Sequence, residues 1–209
     1  MQAGLTAKAT GPMGAATPKF FPDSVRNSLN RSPAVMSVSS PHALTATLAQ
    51  ERPQDDSQVQ ALVERAFGPG RFAKSAERLR EGNQPDLALS FVAWAGEKAV
   101  GCIRLWPVQI GPEPAFLLGP FAVDDAWRSQ GLGGALVERA CQAVQARGRG
   151  LVVLVGDEPF FRRFGFAAAP PGQITLPGPV DGRRVLWRRF AGESSPPSGA
   201  VRIPSRSGG

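Results

Sequence analysis

Residues 119–136 read GPFAVDDAWRSQGLGGAL, and the order of residue types around this stretch decides the fold. The segment Pro114–Val123 is apolar nearly throughout, as expected of a strand buried on both faces of a sheet. Downstream, Leu132, Leu136, Val137, Ala140, Cys141 and Val144 recur at helical spacing. That predicts an amphipathic helix over Gly131–Arg147, stopped by Gly148 and Gly150. Leu151–Val155 then reads as a second buried strand. Strand, helix and strand in this order form a β-α-β unit, with parallel strands and a right-handed crossover.

The linking loop carries Arg128, Ser129 and Gln130, then Gly131, Leu132, Gly133 and Gly134. A helix N-terminus exposes unpaired N–H groups and the positive end of the dipole. Glycines there let a phosphate approach the backbone closely, and Arg128 can add a charge-assisted bond. The loop is an anion cradle suited to a pyrophosphate. It is not a Walker A loop, because no Gly-Lys-Ser/Thr follows. Nor is it a dinucleotide fingerprint, which wants Gly or Ala where Leu136 stands.

Upstream, Ala43–Gln50 has strand composition, and Val59, Leu62, Val63, Ala66 and Phe67 form a helical stripe after the turn at Pro53–Asp56. A second, shorter helix is expected over Phe72–Glu81. Leu87–Ala95 and Ala99–Val108 flank the tight turn Gly96–Glu97 as a hairpin. Past the second parallel strand a short helix is expected over Glu158–Phe164, then a Pro/Gly-rich connection at 170–182 and a last strand, Arg184–Phe190. The expected architecture is an α/β three-layer fold, a mixed sheet flanked by helices.

Composition narrows the function. Net charge is +7, but about half of that excess lies in the first fifty and last nineteen residues. The basic doublets Arg162–Arg163, Arg183–Arg184 and Arg188–Arg189 are separated and read as solvated faces, so nucleic acid is not the expected partner. No apolar run approaches the ~18 residues of a membrane span. One histidine and two distant cysteines exclude a Cys/His zinc site and disfavour a His-based triad. No metal is expected. Cys102 and Cys141 read as buried thiols, which fits a reducing cytoplasm. Twenty Arg against four Lys, with abundant Ala, Gly and Pro, has the look of GC-rich bacterial coding. Residues 1–41 read as a disordered extension, or as an early start with Met36 the true one; 42–190 as the domain; 191–209 as a disordered tail.

Arg128-Ser-Gln-Gly131-Leu-Gly133 resembles the Arg/Gln-x-x-Gly-x-Gly/Ala signature of the GNAT superfamily of acetyl-CoA-dependent N-acetyltransferases. The run VGDEPFFRRFGF, residues 155–166, resembles that superfamily's second signature, in the form of its YhbS-like branch. The resemblance covers about residues 43–190. It implies a mostly antiparallel sheet whose central parallel pair, 114–123 and 151–156, splays apart. Pantetheine would fill the gap against the main chain of Phe121, Ala122 and Val123, with the pyrophosphate on Arg128 to Gly134 and Phe161 near the thioester. It implies acetyl-CoA as co-substrate and direct transfer to a primary amine, with neither cysteine a nucleophile.

The match breaks at the acid. The family often uses a tyrosine four residues before the second motif's glycine; that position is Phe161, and the chain has no tyrosine. A thiol of pKa ~8.5 leaves readily without much acid help, so an enzyme remains the leading reading. A non-catalytic acyl-CoA-binding module is the alternative, and basic tails docking on RNA a third. No catalytic acid or base is assigned. Asp157 and Glu158 end the strand beside the expected thioester, with Asp157 read as the N-cap of the short helix. Glu113 and Asp124 are further carboxylates, and Asp124 is expected to fix the loop. His42 reads as a tail residue. The acceptor pocket is expected from 56–82, the hairpin and 168–183, with no motif to identify the acceptor.

Overall fold

The computed structural model describes residues 37–38, 45–70, 75–148, 150–192 and 195–205. In chain order the elements are β1 (Ser37–Val38), β2 (Ala46–Gln50), α1 (Asp56–Phe67), β3 (Phe91–Ala95), β4 (Lys98–Ile110) and β5 (Glu113–Val123). There follow α2 (Leu132–Ala146), β6 (Leu151–Val155), α3 (Glu158–Arg162), β7 (Ala167–Ala168), β8 (Ile174–Thr175), β9 (Val185–Arg189) and β10 (Gly199–Arg202). The sheet runs β1-β2-β3-β4-β5-β6-β9-β7, with β10 laid on β4 and β8. Along that path only β5 and β6 pair in parallel, as the β-α-β reading requires.

Alternation along the strands divides the core between the two faces. Ala93, Ile103 and Leu105 pack with Leu136, Val137 and Ala140 of α2. Their neighbours Val92 and Cys102, with Ala122, pack with Val59, Leu62 and Val63 of α1. The helices therefore cover opposite faces, giving the expected three layers.

On the α1 face a buried charge fixes the helix. Arg104 of β4, 2% exposed, donates from Nε to Glu51 (2.9 Å) and from Nη2 to Asp56 (2.7 Å). Burial outweighs the arginine and raises the Glu51 pKa. One guanidinium thus joins the end of β2 to the first turn of α1, and directs the other end of α1, with Val63 and Phe67, towards the C-terminal ends of β5 and β6.

The ladder between β4 and β5 shifts at the same place. Ile103 pairs with Phe121 and Leu105 with Leu118, so Gly119 and Pro120 together face Arg104. Trp106 Nε1 donates to the Gly119 carbonyl at 2.6 Å. Pro120 has no N–H to give. Gly119 has φ +133°, a backbone conformation that strains any residue with a Cβ and so favours glycine.

Three expectations are corrected. The helix expected over 72–81 is, among the described residues, only a 3₁₀ turn at Glu77–Leu79. The tail expected over 191–209 holds β10, with Val201 opposite Ile110 and Arg202 opposite Gln109, and Gly199–Ala200 parallel to Ile174–Thr175. The expected N-terminal extension holds Ser37–Val38, paired with β2; the rest of it, with Met36 and His42, lies outside the described residues.

Val201 is 2% exposed and joins a cluster with Val108, Ile110 and Val153. Burying such a side chain contributes about 1.5–3 kcal/mol. Deleting residues 192–209 should therefore lower Tm by several degrees, at about 2–4 °C per kcal/mol. Circular dichroism melts check this, and an unchanged Tm would show that β10 adds nothing.

Candidate active site

Parallel pairing of β5 with β6 is confined to Phe116–Val152 and Leu117–Val153. β5 then runs on to Val123 against β4 alone, so its other edge, from Leu118 to Phe121, borders a cleft of about 590 Å³. The cleft is walled by Val63 and Phe67 of α1, by residues 75–77 and 80, by 154–157 with 160 and 161, and by 179–181 with 184. Ser75 donates to the Pro179 carbonyl (2.6 Å) and Arg78 to the Pro177 carbonyl (2.8 Å). These bonds hold the two outer walls together. The walls at 63–80 and 179–181 come from two of the regions expected to shape an acceptor pocket; the β3–β4 hairpin takes no part, and 154–161 and Arg184 add a wall outside those regions.

The glycine loop ends where α2 begins. Gly131 is the N-cap residue at φ +81°, a conformation that disfavours any Cβ. The first helical bond runs from Ala135 N to Gly131 O (3.0 Å), and no side chain caps the helix. The N–H groups of Leu132, Gly133 and Gly134 therefore face outward. The Leu132 side chain itself is core. A Cβ on Gly133 would lie 3.1 Å from the Phe121 ring, so the loop and the open strand edge adjoin. Of the remaining loop residues, Arg128 is exposed and paired with Asp125 at 2.8 Å. Ser129 is left-handed at φ 61°. Gln130 donates to the Ala126 carbonyl at 2.8 Å. Asp124 fixes the loop as expected: it accepts from Ala126 N and pairs with Lys98 at 3.1 Å, and the Lys98 bond holds its carboxyl below the usual range.

Five phenylalanines join α3 to this corner. Phe121 stacks on Phe160 (5.7 Å between centroids), and Phe161 meets Phe160 (4.9 Å) and Phe166 (5.8 Å) edge-on. Phe164 lies 5.7 Å from Phe160. Phe161 is buried yet lines the cleft. Arg163, read from the sequence as part of a solvated doublet, lies over the rings of Phe160 (4.6 Å) and Phe164 (4.7 Å). Its Nη2 is 3.2 Å from where a Gly134 Cβ would be. A second cation thus stands at the N-terminus of α2, and sequence spacing gave no sign of it.

The carboxylates separate clearly. Glu113 pairs with Arg189 near the far end of β5. Glu158 pairs with Arg162 at 2.7 Å. Asp157 occupies the N-cap position of α3, but its side chain caps nothing. An N-cap carboxylate bonds the N–H of N2 or N3. Here N2 is Pro159, which has none, and the N–H of Phe160 goes to the Asp157 backbone carbonyl at 3.1 Å. The expected cap therefore fails, and Asp157, exposed, borders the cleft. Among the described residues no group of three or more His, Cys, Asp or Glu could hold a metal ion, and no helix is long and apolar enough to cross a membrane.

A family model described as acetyltransferase (GNAT) domain matches residues 86–168. Over 122 residues the chain is 34% identical to the uncharacterized N-acetyltransferase YhbS of Escherichia coli strain K12, covering 57% of this chain and 72% of that protein. It is similar to the crystal structure of the E. coli GNAT family N-acetyltransferase YhbS in complex with CoA, with TM-score 0.65 and 29% identity over 79% of this chain and 93% of that one. A GNAT family acetyltransferase from Brucella melitensis in complex with acetyl-CoA is similar at TM-score 0.57 and 25% identity, over 78% and 99% of the two chains.

Neither cysteine lines the cleft. Cys102 is in the core beneath α1, and burial pushes its thiol up to about 12. Burial also raises Cys141 on the inner face of α2. At pH 8 a thiol of pKa 12 is only about 10⁻⁴ thiolate, and the thiolate is the reactive form. Both thiols should stay inert to an aromatic disulfide reagent in the native protein and react together on unfolding. Rapid native labelling of either would contradict this burial.

Proposed function

The chain belongs to the GNAT acetyltransferase family, and from that footing we propose that it transfers an acetyl group from acetyl-CoA directly to a primary amine. The observation that carries the reading is the open edge of β5 beside the uncapped, glycine-built N-terminus of α2. Along Phe121, Ala122 and Val123 the backbone groups not turned to β4, those of Phe121 and Val123 by the alternation of an antiparallel ladder, want partners, and the amides of pantetheine would supply them. The pyrophosphate would lie on Arg128, Ser129, Gln130, Gly131, Leu132, Gly133 and Gly134, with the Leu132 contribution limited to its N–H. We add Arg163 to this set, since its guanidinium is held over two rings at the same helix end. Phe161 would form part of the apolar wall near the thioester. E. coli YhbS was crystallised with CoA and the Brucella protein with acetyl-CoA, which supports the same ligand here.

The chemistry asks little of the protein beyond placement. A thiolate of pKa ~8.5 is a good leaving group near neutral pH, so phenylalanine in place of the acid need not stop turnover. The amine asks more: at pKa ~10.4 only about 10⁻³ of it is neutral near pH 7.4, a cost of about 4 kcal/mol. Neither buried thiol supports an acyl-enzyme, which favours direct transfer. Two thiols without a disulfide support a cytoplasmic setting, and the E. coli relative supports a bacterial one.

A second reading is a non-catalytic acyl-CoA-binding module, favoured by the lack of any tyrosine. Release of CoA with a panel of amines, set against binding alone, separates the two.

Acetyl-CoA at 100 times Kd should stabilise the fold by about 2.7 kcal/mol, raising Tm by several degrees. Arg163→Ala should weaken binding about 10- to 100-fold, the worth of a hydrogen bond to a charged group, with little change in the Tm of the free protein. Calorimetric titration checks both. A wild-type protein that ignores millimolar acetyl-CoA would refute the proposal, and unchanged affinity in Arg163→Ala would remove that residue from the cradle.

A further inference from the structure

The cleft carries five charged side chains, and three are already committed. Glu77 is paired with Arg80 at 2.7 Å, and Asp181 is gripped by Arg183 through two bonds of 3.1 and 2.9 Å. The other two are Asp157 and Arg184. Asp157 has lost its cap, for the reason given above. Arg184 makes one long bond, Nε to the Gly156 carbonyl at 3.4 Å; its charge helps to lower the Asp181 carboxyl, but no carboxylate of the described residues lies within ion-pairing distance of it. Both are anchored at one backbone position. Asp157 follows Gly156, and Gly156 N–H donates to the Arg184 carbonyl at 2.9 Å. The chain thus carries one negative and one positive residue past the same backbone corner where β6 ends, both exposed at the rim of the cleft. Beyond them the wall is apolar, with Val63, Val180 and Phe67. Phe67 is 39% exposed, the large apolar side chain of the described residues that is most open to solvent.

A charge left without a partner is matched best by a ligand of opposite sign. A simple alkylamine or a polyamine would meet Asp157 but also be repelled by Arg184. We infer that the acceptor is a small α-amino acid or similar zwitterion with an apolar side chain, its nitrogen drawn to Asp157 and its carboxylate to Arg184. This rests on the transferase reading above and gives it a substrate class. Because the backbones of the two anchors adjoin at Gly156, a ligand whose nitrogen and anion are near neighbours matches them best. The nitrogen is then held at the mouth of the opening between β5 and β6, where the thioester would lie.

The test has a kinetic arm and a binding arm. CoA release from acetyl-CoA is followed with alanine, valine, leucine and phenylalanine, with their methyl esters, and with spermidine. The best amino acid should exceed its own methyl ester in kcat/KM by about 10- to 100-fold. Arg184→Ala should erase that difference, raising KM for the acid and, with the repelling cation gone, not raising it for the ester. Asp157→Asn should lower kcat/KM for acid and ester alike. In the binding arm, the same amino acid is titrated into protein saturated with CoA; it should bind, and Arg184→Ala should weaken it by a similar factor, about 10- to 100-fold. Esters or spermidine equal to the acids, or an Arg184→Ala that keeps the acid-to-ester ratio, would overturn the inference. Amino-acid binding without turnover would uphold the acceptor site and sink the transferase reading; turnover of spermidine alone would do the reverse.

Discussion

β5 and β6 stay paired for two residues and then part, and the candidate site is built around that interruption. Its cause is local and legible. Two residues of β5, Gly119 and Pro120, face the single residue Arg104 across the ladder. The Gly119 carbonyl is committed to the Trp106 indole, and Pro120 has no N–H. On the other side, β6 ends at Val155 and the chain enters α3 at Glu158, with Pro159 in its first turn, where a strand would otherwise continue. Each strand is thus prevented by its own residues from extending the parallel ladder. The edge is half-buried and borders the cleft, so a ligand that bonds it replaces water and gains only the about 0.5–1.5 kcal/mol of an ordinary hydrogen bond at each group.

The surroundings hold this opening in shape. Arg104, buried between Glu51 and Asp56, ties α1 to the sheet from one face; losing one partner of such a pair typically costs about 3–5 kcal/mol. From the other face, the rings of Phe121, Phe160, Phe161, Phe164 and Phe166 join α3 to β5. Arg163, laid over two of those rings, is placed by aromatic contact rather than by an ion pair. Its charge therefore remains available at the N-terminus of α2, whereas Arg128, the cation that the sequence motif singles out, is engaged by Asp125.

What the sequence made legible is what depends on periodicity and punctuation. The inner stripe of α2, the glycine that starts it and the apolar runs of β5 and β6 carry the β-α-β unit, and the two signatures carry the family. What stayed hidden depends on contacts between distant segments. β10 has one fully buried apolar residue, Val201, in a run of Gly, Pro and Ser; it becomes a strand because the end of β4 offers it a ladder. Asp157 sits at the N-cap position that was expected, but the proline two residues on, plain in the sequence, removes a donor the cap needed. Arg163 and Arg184 looked like members of solvated doublets because only the fold brings each to a backbone corner. Of the helix expected over 72–81, the described residues form only a 3₁₀ turn at Glu77–Leu79, tied to the 177–181 segment by Arg78 and the neighbouring Ser75.

The central claim is that the opened edge of β5 receives the pantetheine arm and the N-terminus of α2 receives the pyrophosphate. A crystal structure of the acetyl-CoA complex tests it most directly. The account predicts pantetheine amides bonded to the main chain between Phe121 and Val123, phosphate oxygens on the N–H groups of 132–134 within reach of Arg163, and an acetyl group directed into the cleft beside Asp157. A complex in which β5 and β6 zip together past Leu117 and Val153, with the nucleotide bound elsewhere, would contradict it.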